Sequence, residues 1–415
     1  MRVAQLRWWW WTVVAALVIA SGCSAAGGAE EDAARDAGGR AAQDAPQSVV
    51  FDTRRRGEDS AAPGDAAEGD AEEDSATPGD VAQDTPEADS APRDAERDTA
   101  RRDVEARDAP APTTEVTLVD GALRVNGEPF PIRGVCWHPV PRGQVNAPEY
   151  GRYVEQDAAL MAAAGINVVR TFGPLTDRAT LDRLHAAGIY VLNTVYIWGG
   201  EDVSGLGARL RGVADHPAIL MWLLGNEWNY NGLYVGLTLE ESRDRLAEVA
   251  AIVREAAPGR PIGTVYGEVP SPELVEATPW VDVWGLNVYR GLSFGSLFTE
   301  WAAVSDKPMF VSEYGADAWD SRVNRVDVAS QAEAVEALTR EIMASDVALG
   351  GTLFEWSDEW WKDEGGDPWV QDSGGIAPGG GPHPDATFNE EWWGVVDIDR
   401  NTRPAYTRLQ RLYRP

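Results

Sequence analysis

From about residue 115 onward, eight short apolar runs rich in β-branched and aromatic residues alternate with segments of helical periodicity. This alternation constrains the fold more than any other feature, because strands separated by helical crossovers form a parallel sheet of βα units. The predicted strands are FPIRGVCW, INVVRTF, IYVLNTVYI, AILMWLLGN, PIGTVYG, VDVWGLNVY, KPMFVSEYG and LGGTLFEW. Eight such units in about 300 residues are typical of a (β/α)8 TIM barrel.

Two of the intervening segments carry clear helix signals. EYGRYVEQDAALMAAAG ends on a glycine suited to a helix C-cap, and LTLEESRDRLAEVAAIVREAAPG has apolar residues at helical spacing before Pro-Gly. A doubly wound open sheet is the alternative arrangement of the same units. We favour the barrel, because no glycine-rich phosphate loop follows the first strand. The sequence therefore predicts one α/β domain, a single (β/α)8 TIM barrel, over residues 115–415.

Residues 1–23 form a targeting segment that does not belong to the fold. Two arginines, Arg2 and Arg7, stand near the start, the apolar stretch WWWWTVVAALVIA is short for a membrane span, and small residues precede Cys23. This order predicts a secretory signal. It resembles a bacterial lipoprotein signal, in which Cys23 becomes the lipidated N-terminus. An ordinary cleaved signal peptide is the alternative.

Residues 24–114 are mainly Ala, Asp, Glu, Gly, Pro and Arg, with few large apolar residues to bury. Such a composition cannot offset the roughly 1–2 kcal/mol of chain entropy lost per ordered residue. Its spaced aspartates lack the fixed ligand positions of a calcium-binding loop. Much of the net charge of −31 lies here, which argues against nucleic acid as a partner. We therefore predict a disordered acidic tether between a membrane lipid anchor and the barrel.

The sequence predicts neither a metal site nor a disulfide within the chain. The four histidines, at positions 138, 185, 216 and 383, lack the spacing of a zinc site. Cys23 and Cys136 are the only cysteines, and acylation of the first would leave the second without a partner. We expect a monomer that needs no metal or organic cofactor and is exported across the inner membrane. The lipid anchor would hold it on the cell envelope, at the outer membrane or cell surface.

Polar side chains gather at the carboxyl ends of the predicted strands, where the active site of a TIM barrel lies. Glu227 ends the fourth predicted strand and Glu313 ends the seventh. Removing an ionised carboxylate from water costs several kcal/mol, so each of these positions calls for a functional reason. Two carboxylates across a groove can cleave a glycosidic bond, one as proton donor and one as nucleophile. Glu355 and Glu359, after the eighth strand, are alternative nucleophiles.

Residues 115–415 resemble the clan A glycoside hydrolases, whose acid/base ends strand four and whose nucleophile ends strand seven. GNEW supplies the asparagine and acid/base of that clan as Asn226 and Glu227. FVSEYGADA is similar to the nucleophile segment of glycoside hydrolase family 2, which places the nucleophile at Glu313, and LRVNGEPFPIRGVCWHP resembles the entry into that family's barrel. The resemblance implies a retaining glycosidase that hydrolyses O-glycosyl bonds of a β-linked oligo- or polysaccharide.

The resemblance also implies roles for residues around the two carboxylates. Arg170 would hold Glu313 ionised, Tyr289 would donate a hydrogen bond to it, and Asn226 would bind the sugar 2-hydroxyl. Trp356 would form a sugar platform on strand eight. The other substrate-binding candidates at the strand ends are Trp137, His138, Asn287 and Trp360.

Two alternatives remain for the function. SEYG and VVRTFGP also resemble the β-1,3-glucanosyltransferases of the same clan, so a transglycosylase is the enzymatic alternative. A non-catalytic, glycan-binding surface lipoprotein is the alternative from another class. That alternative expects one carboxylate to be replaced, whereas Glu227 and Glu313 are both present.

Overall fold

The computed structural model describes residues 114–362, 369 and 380–414. Within these ranges the strands, in chain order, are β1 (Val116–Val119), β2 (Ala122–Val125), β3 (Glu128–Pro129), β4 (Ile132–Cys136), β5 (Val168–Arg170), β6 (Tyr190–Tyr196), β7 (Ile219–Leu224), β8 (Ile262–Gly267), β9 (Val283–Asn287), β10 (Met309–Tyr314), β11 (Trp319–Asp320), β12 (Arg325–Val326) and β13 (Ala348–Leu353). The helices are α1 (Tyr150–Ala164), α2 (Arg178–Ala186), α3 (Leu206–Arg211), α4 (Trp228–Asn231), α5 (Leu239–Ala256), α6 (Pro272–Glu276), α7 (Leu297–Val304), α8 (Val328–Ala344) and α9 (Pro404–Tyr413).

Eight parallel strands, β4 to β10 and β13, form a closed barrel, which confirms the predicted TIM barrel. Closure occurs at β13, which pairs with β10 on one side and with β4 on the other. Seven of the eight predicted runs contain a whole barrel strand, and the eighth, LGGTLFEW, begins one residue after the start of β13. The helices form the outer layer, and the fold therefore gathers the carboxyl ends of all eight strands at one mouth.

The opposite mouth of the barrel is covered by the small antiparallel sheet β1–β3. Val116, Leu123 and Val125 of this sheet share one buried cluster with Ile132 and Val168 of the first two barrel strands. Strand alternation explains the arrangement, because every second residue of a barrel strand faces inward. The N-terminal end of the barrel is thus filled by apolar side chains and leaves the other end for polar ones.

The two predicted helices are confirmed with the caps that their sequences indicate. Helix α1 ends at Gly165, whose left-handed φ of 80° is a conformation that glycine adopts without strain. Helix α5 begins with a capping box between Thr238 and Glu241. It ends at Ala256, just before the predicted Pro-Gly stop.

A β-bulge in β10 turns Glu313 into the barrel mouth. Phe310 belongs to the interior cluster and Val311 to the layer between strands and helices, as alternation requires. Between Val311 and Glu313 the register with β9 shifts by one residue, because Val311 pairs with Leu286 while Glu313 pairs with the next residue of β9. Bulges commonly re-aim a side chain beside an active site.

The predicted targeting segment and acidic tether span residues 1–114, of which residues 1–113 lie outside the described residues. The lipidation at Cys23 therefore stays a prediction. Among the residues that are described, no helix combines the length and the apolar character needed to cross a membrane.

We expect Gly350→Ala to destabilise the barrel strongly. Gly350 has a φ of 126°, and an added Cβ would lie 2.1 Å from the carbonyl oxygen of Ile132 on the paired strand. The combined clash and backbone strain should lower the free energy of unfolding by more than about 3 kcal/mol. Thermal unfolding of the full chain measures the effect.

Gly259→Ala is the matched control for this substitution. Gly259 also has a left-handed φ, of 88°, but a Cβ there would meet nothing within 4 Å. This substitution should lower the free energy of unfolding only by the roughly 1–2 kcal/mol that a left-handed backbone conformation costs a residue with a Cβ. Equal losses of melting temperature in the two variants would contradict the packing argument.

Candidate active site

Glu313 is held by two donors at the end of β10. Arg170 donates from Nη1 to its Oε1 at 2.7 Å, and Tyr289 donates its hydroxyl to Oε2 at 2.9 Å. Burial, and next the charge of Glu313, raise the pKa of Tyr289 well above the ordinary value of a phenol. The phenol therefore keeps its proton and donates a hydrogen bond to the carboxylate. Glu313 is fixed with little of its surface exposed.

Arg170 is completely buried and connects both halves of the site. Besides Glu313, it donates to the carbonyl oxygen of Ser312 at 2.9 Å and from Nη2 to Asn226 Oδ1 at 2.7 Å. Burial has the largest single effect on the pKa of Arg170 and lowers it, but Glu313, Cys136 and Tyr289 together outweigh burial and leave the pKa above the ordinary value. One guanidinium thus joins the ends of β5, β10 and the segment after β7.

A network of amides extends from this guanidinium. Asn287 donates from Nδ2 to Asn226 Oδ1 at 3.3 Å and accepts from Ser312 Oγ at 2.7 Å. Because Asn226 Oδ1 faces two donors, its Nδ2 is turned the other way, toward Tyr234 Oη at 3.2 Å. The amide of Asn226 is therefore oriented from both ends.

Glu227 stands on a tight turn that its neighbours impose. Gly225 has a φ of 77°, and a Cβ there would lie 2.7 Å from the ring of Trp228. Trp228 is buried and donates from its indole to Thr264 Oγ1 at 3.0 Å. Glu227 itself adopts a left-handed φ of 48°, a conformation that costs energy and clusters at functional sites. The strained turn directs its side chain into the mouth of the barrel.

The surroundings of Glu227 favour its protonated form. Burial in the first place, and the charge of Glu313 in the second, raise the pKa of Glu227 to about 8. A hydrogen bond with Asn287 and the charge of Arg170 act in the opposite direction. The side chain keeps partial access to solvent, so the proton can be delivered to a bound molecule. The two carboxylates are therefore electrostatically coupled but chemically different, which is the pattern of an acid paired with a nucleophile.

An aromatic wall lines the site beside Glu313. The guanidinium carbon of Arg170 lies 4.5 Å from the ring centre of Phe172, and the rings of Phe172 and Phe354 meet edge-on with their centres 6.1 Å apart. The ring centre of Trp393 lies 5.2 Å from that of Phe354 and 5.4 Å from that of Tyr289. Trp393, Tyr289 and Phe354 are buried, so these rings exclude water from the side of the site next to Glu313.

Glu355 and Glu359, the alternative nucleophiles, belong to a second charged group, which we call the Lys362 cluster (His138, Glu355, Glu359, Lys362, Glu390). Glu359 bonds to His138 Nδ1 at 2.5 Å and to Lys362 Nζ at 2.9 Å. Burial alone would raise the pKa of Glu359, but Lys362 and His138 lower it to about 2. Burial raises the pKa of Glu355 well above its usual value. Neither residue has the guanidinium and phenol that hold Glu313.

Two tryptophans predicted to bind substrate lie instead in the protein core. Trp137 is completely buried and donates from its indole to Asp157 Oδ2 at 2.9 Å, toward α1. Trp356 is also buried, and its ring lies against Tyr406 of α9 at 6.3 Å. Both predictions were wrong because a residue just past a strand can still point outward, into the layer of helices.

Trp360 and His138 are also engaged by protein groups. The guanidinium of Arg142 lies 4.0 Å from the ring centre of Trp360, so one face of this ring is covered. His138 is largely buried and bonded to Glu359, as described above. The structure therefore brings together Glu227, Glu313, Asn226, Arg170, Tyr289 and Asn287, and places the remaining candidates outside this network.

Tyr234 is the main member of the network that sequence reasoning missed. It lies in a 3-10 turn, Gly232–Tyr234, in which Gly232, Leu233 and Tyr234 all have positive φ between 51° and 59°. No periodicity marks such a turn in the sequence NYNGLYVG. Ser312, Phe172 and Trp393 were missed too, although Ser312 is next to Glu313 and Phe172 follows Arg170 in the quoted motifs.

Residues 203–337 match the family model described as Glycosyl hydrolases family 2, TIM barrel domain. Both Glu227 and Glu313 fall within the matched segment. A search of curated proteins finds no match to the chain.

Solved structures with the same fold include several β-glycuronidases. A family 2 β-galacturonidase from Eisenbergiella tayi bound to galacturonate is 18% identical, with a TM-score of 0.53 over 72% of this chain and 54% of its own. A β-D-glucuronidase from Dictyoglomus thermophilum is 17% identical, with a TM-score of 0.53 over 72% and 53%. Bacteroides uniformis β-glucuronidase 2, covalently bound to cyclophellitol-6-carboxylate aziridine, is 19% identical, with a TM-score of 0.55 over 72% and 37%. The chain thus spans about half, or less, of these proteins, and at this identity the likeness establishes the fold.

We expect Glu227→Gln to change how stability depends on pH. Between the ordinary pKa of 4.5 and the folded value of about 8, the folded protein binds a proton that the unfolded chain has lost. Glu227 therefore makes the protein less stable as pH rises through this window. The variant lacks this contribution, so its melting temperature should fall less than that of the wild type between pH 5 and pH 8.

Glu276→Gln, at an exposed position on α6, is the control and should follow the wild-type pH dependence. If Glu227→Gln shows the same slope as this control, the raised pKa of Glu227 is wrong.

Proposed function

We propose that the protein is a retaining glycosidase that hydrolyses β-linked glycans, with Glu313 as nucleophile and Glu227 as acid/base. One observation carries the proposal: two coupled carboxylates end β7 and β10, one held by Arg170 and Tyr289 and the other with its pKa raised to about 8. The matched segment of family 2 supports the reaction class. The presence of both carboxylates disfavours a purely glycan-binding role.

In the first step, Glu313 attacks the anomeric carbon while the bond to the leaving oxygen breaks. Glu227 donates its proton to that oxygen, so the leaving group departs as a neutral alcohol. Asn226 is positioned to bind the sugar 2-hydroxyl through Nδ2, because its Oδ1 is already occupied by Arg170 and Asn287. Such a bond strengthens as positive charge develops on the ring.

In the second step, Glu227 acts as a base. Once Glu313 is esterified its charge is gone, and one of the two main causes that raise the pKa of Glu227 disappears with it. The carboxylate then accepts a proton from a water molecule, whose oxygen attacks the anomeric carbon and releases Glu313. A sugar hydroxyl in place of water would give the transglycosylation that the glucanosyltransferase resemblance suggests.

Glu313→Ala should reduce hydrolysis of aryl β-glycosides to background, because no group remains to form the intermediate. Glu227→Ala should retain much of the first step on substrates with good leaving groups, and lose about 10²–10⁴-fold on poor ones. Added azide should then accelerate turnover of Glu227→Ala and give a β-glycosyl azide. Product analysis by NMR measures the outcome.

Glu276→Ala, which removes an exposed carboxylate on α6, is the control and should respond to azide no more than the wild type. An α-configured first product from the wild type would show inversion and contradict the double displacement.

We further propose that the protein is lipid-anchored to the cell envelope through Cys23. The sequence order of positive residues, short apolar stretch, small residues and Cys23, followed by the acidic segment, supports this placement. An anchored glycosidase on a long tether would reach polymeric substrate outside the membrane.

Cys23→Ser should move the full-length protein from the membrane fraction to the soluble fraction of a producing bacterium, because the lipid-bearing thiol is gone. Ser24→Ala, which keeps the thiol, should leave the distribution unchanged. Metabolic labelling with a fatty acid, followed by cell fractionation, measures both. A Cys23→Ser protein that is processed but stays with membranes would contradict the anchor.

A further inference from the structure

The Lys362 cluster stands beside the proposed catalytic pair and is not used by its mechanism. Lys362 Nζ lies 2.9 Å from Glu359, 3.4 Å from Glu390 and 3.6 Å from Glu355. A lysine ammonium has three N–H donors, and three carboxylates already surround this one. Lys362 is therefore not available as a new partner for an anion.

The carboxylates around Lys362 differ in how accessible they are to a bound molecule. Glu390 is the most exposed carboxylate of the cluster, with 27% of its side-chain surface accessible, against 9% or less for Lys362, Glu355 and Glu359. Glu390 is thus the member that a bound molecule can touch.

One ring contact and one electrostatic effect connect the cluster with the candidate active site. The ammonium of Lys362 lies 4.3 Å from the ring centre of Phe354, which belongs to the aromatic wall beside Tyr289 and Arg170. The charge of Glu390 is also felt by Glu227, whose pKa it helps to raise. Glu390 therefore stands within electrostatic reach of the acid/base.

We infer that Glu390, held by Lys362, accepts a hydrogen bond from a hydroxyl group of the bound sugar, and that this sugar carries no carboxylate group. The inference rests on the proposed function. A sugar carboxylate would meet the negative charges of Glu390 and Glu313 without a free cation from Lys362, and like charges repel strongly in a desolvated site. A hydroxyl group donates to a carboxylate at no such cost.

The test compares kcat/KM of the full-chain protein on 4-nitrophenyl β-glucoside, β-galactoside and β-mannoside with that on the β-glucuronide and β-galacturonide. At least one uncharged glycoside should exceed both uronides by 100-fold or more. Glu390→Gln should lower kcat/KM on the preferred uncharged glycoside by about 10- to 100-fold, the loss expected for a charge-assisted hydrogen bond. The preference over uronides should shrink, because a repelling charge is removed.

Glu390→Asp and Glu155→Gln complete the experiment. Glu390→Asp keeps the negative charge but moves the carboxylate away from the sugar hydroxyl, because its side chain is shorter. The kcat/KM on the uncharged glycoside should therefore fall, while the discrimination against uronides stays. Glu155→Gln, at an exposed position on α1, should match the wild type in both.

A wild-type preference for a uronide, or an unchanged preference in Glu390→Gln, would overturn the inference while leaving the proposed function intact. Turnover of no glycoside at all would overturn both.

Discussion

The buried guanidinium of Arg170 is the interaction on which the rest of the site depends. A charge with no exposed surface would cost several kcal/mol without partners. Glu313, the carbonyl of Ser312 and the amide of Asn226 supply them, all within 2.9 Å. Because Arg170 belongs to β5 and these partners to β10 and the segment after β7, satisfying one charge also fixes the relative positions of the strand ends that carry the chemistry.

The site divides its charges unequally, and this division gives the two carboxylates different tasks. Glu313 accepts hydrogen bonds from the guanidinium of Arg170 and the phenol of Tyr289. Glu227 lies on a strained turn, and the negative charge of Glu313 helps to raise its pKa. The Lys362 cluster repeats the principle on a neighbouring wall, since one buried cation there organises three carboxylates. The barrel thus uses single buried cations to orient several acids.

The barrel and the central pair could be predicted from the sequence because they follow from periodicity and position. Hydrophobic runs identify strands, and the ends of strands identify the mouth. The side to which a residue just beyond a strand points does not follow from these rules, which is why Trp137 and Trp356 were misplaced. Tyr234 was missed for a related reason, because its place depends on three consecutive left-handed residues that only the folded chain specifies.

The bulge in β10 links the catalytic mouth mechanically to the outer layer of helices. Glu313 faces inward, while the next residue, Tyr314, is buried outward and shares a hydrogen bond of 3.0 Å with Thr339 of α8. The side chains of two successive residues therefore lie on opposite sides of the barrel wall. A small shift of α8 would tilt the carboxylate of Glu313 without any change in the mouth itself, so the precision of this site is set partly by packing on the far side of its own strand.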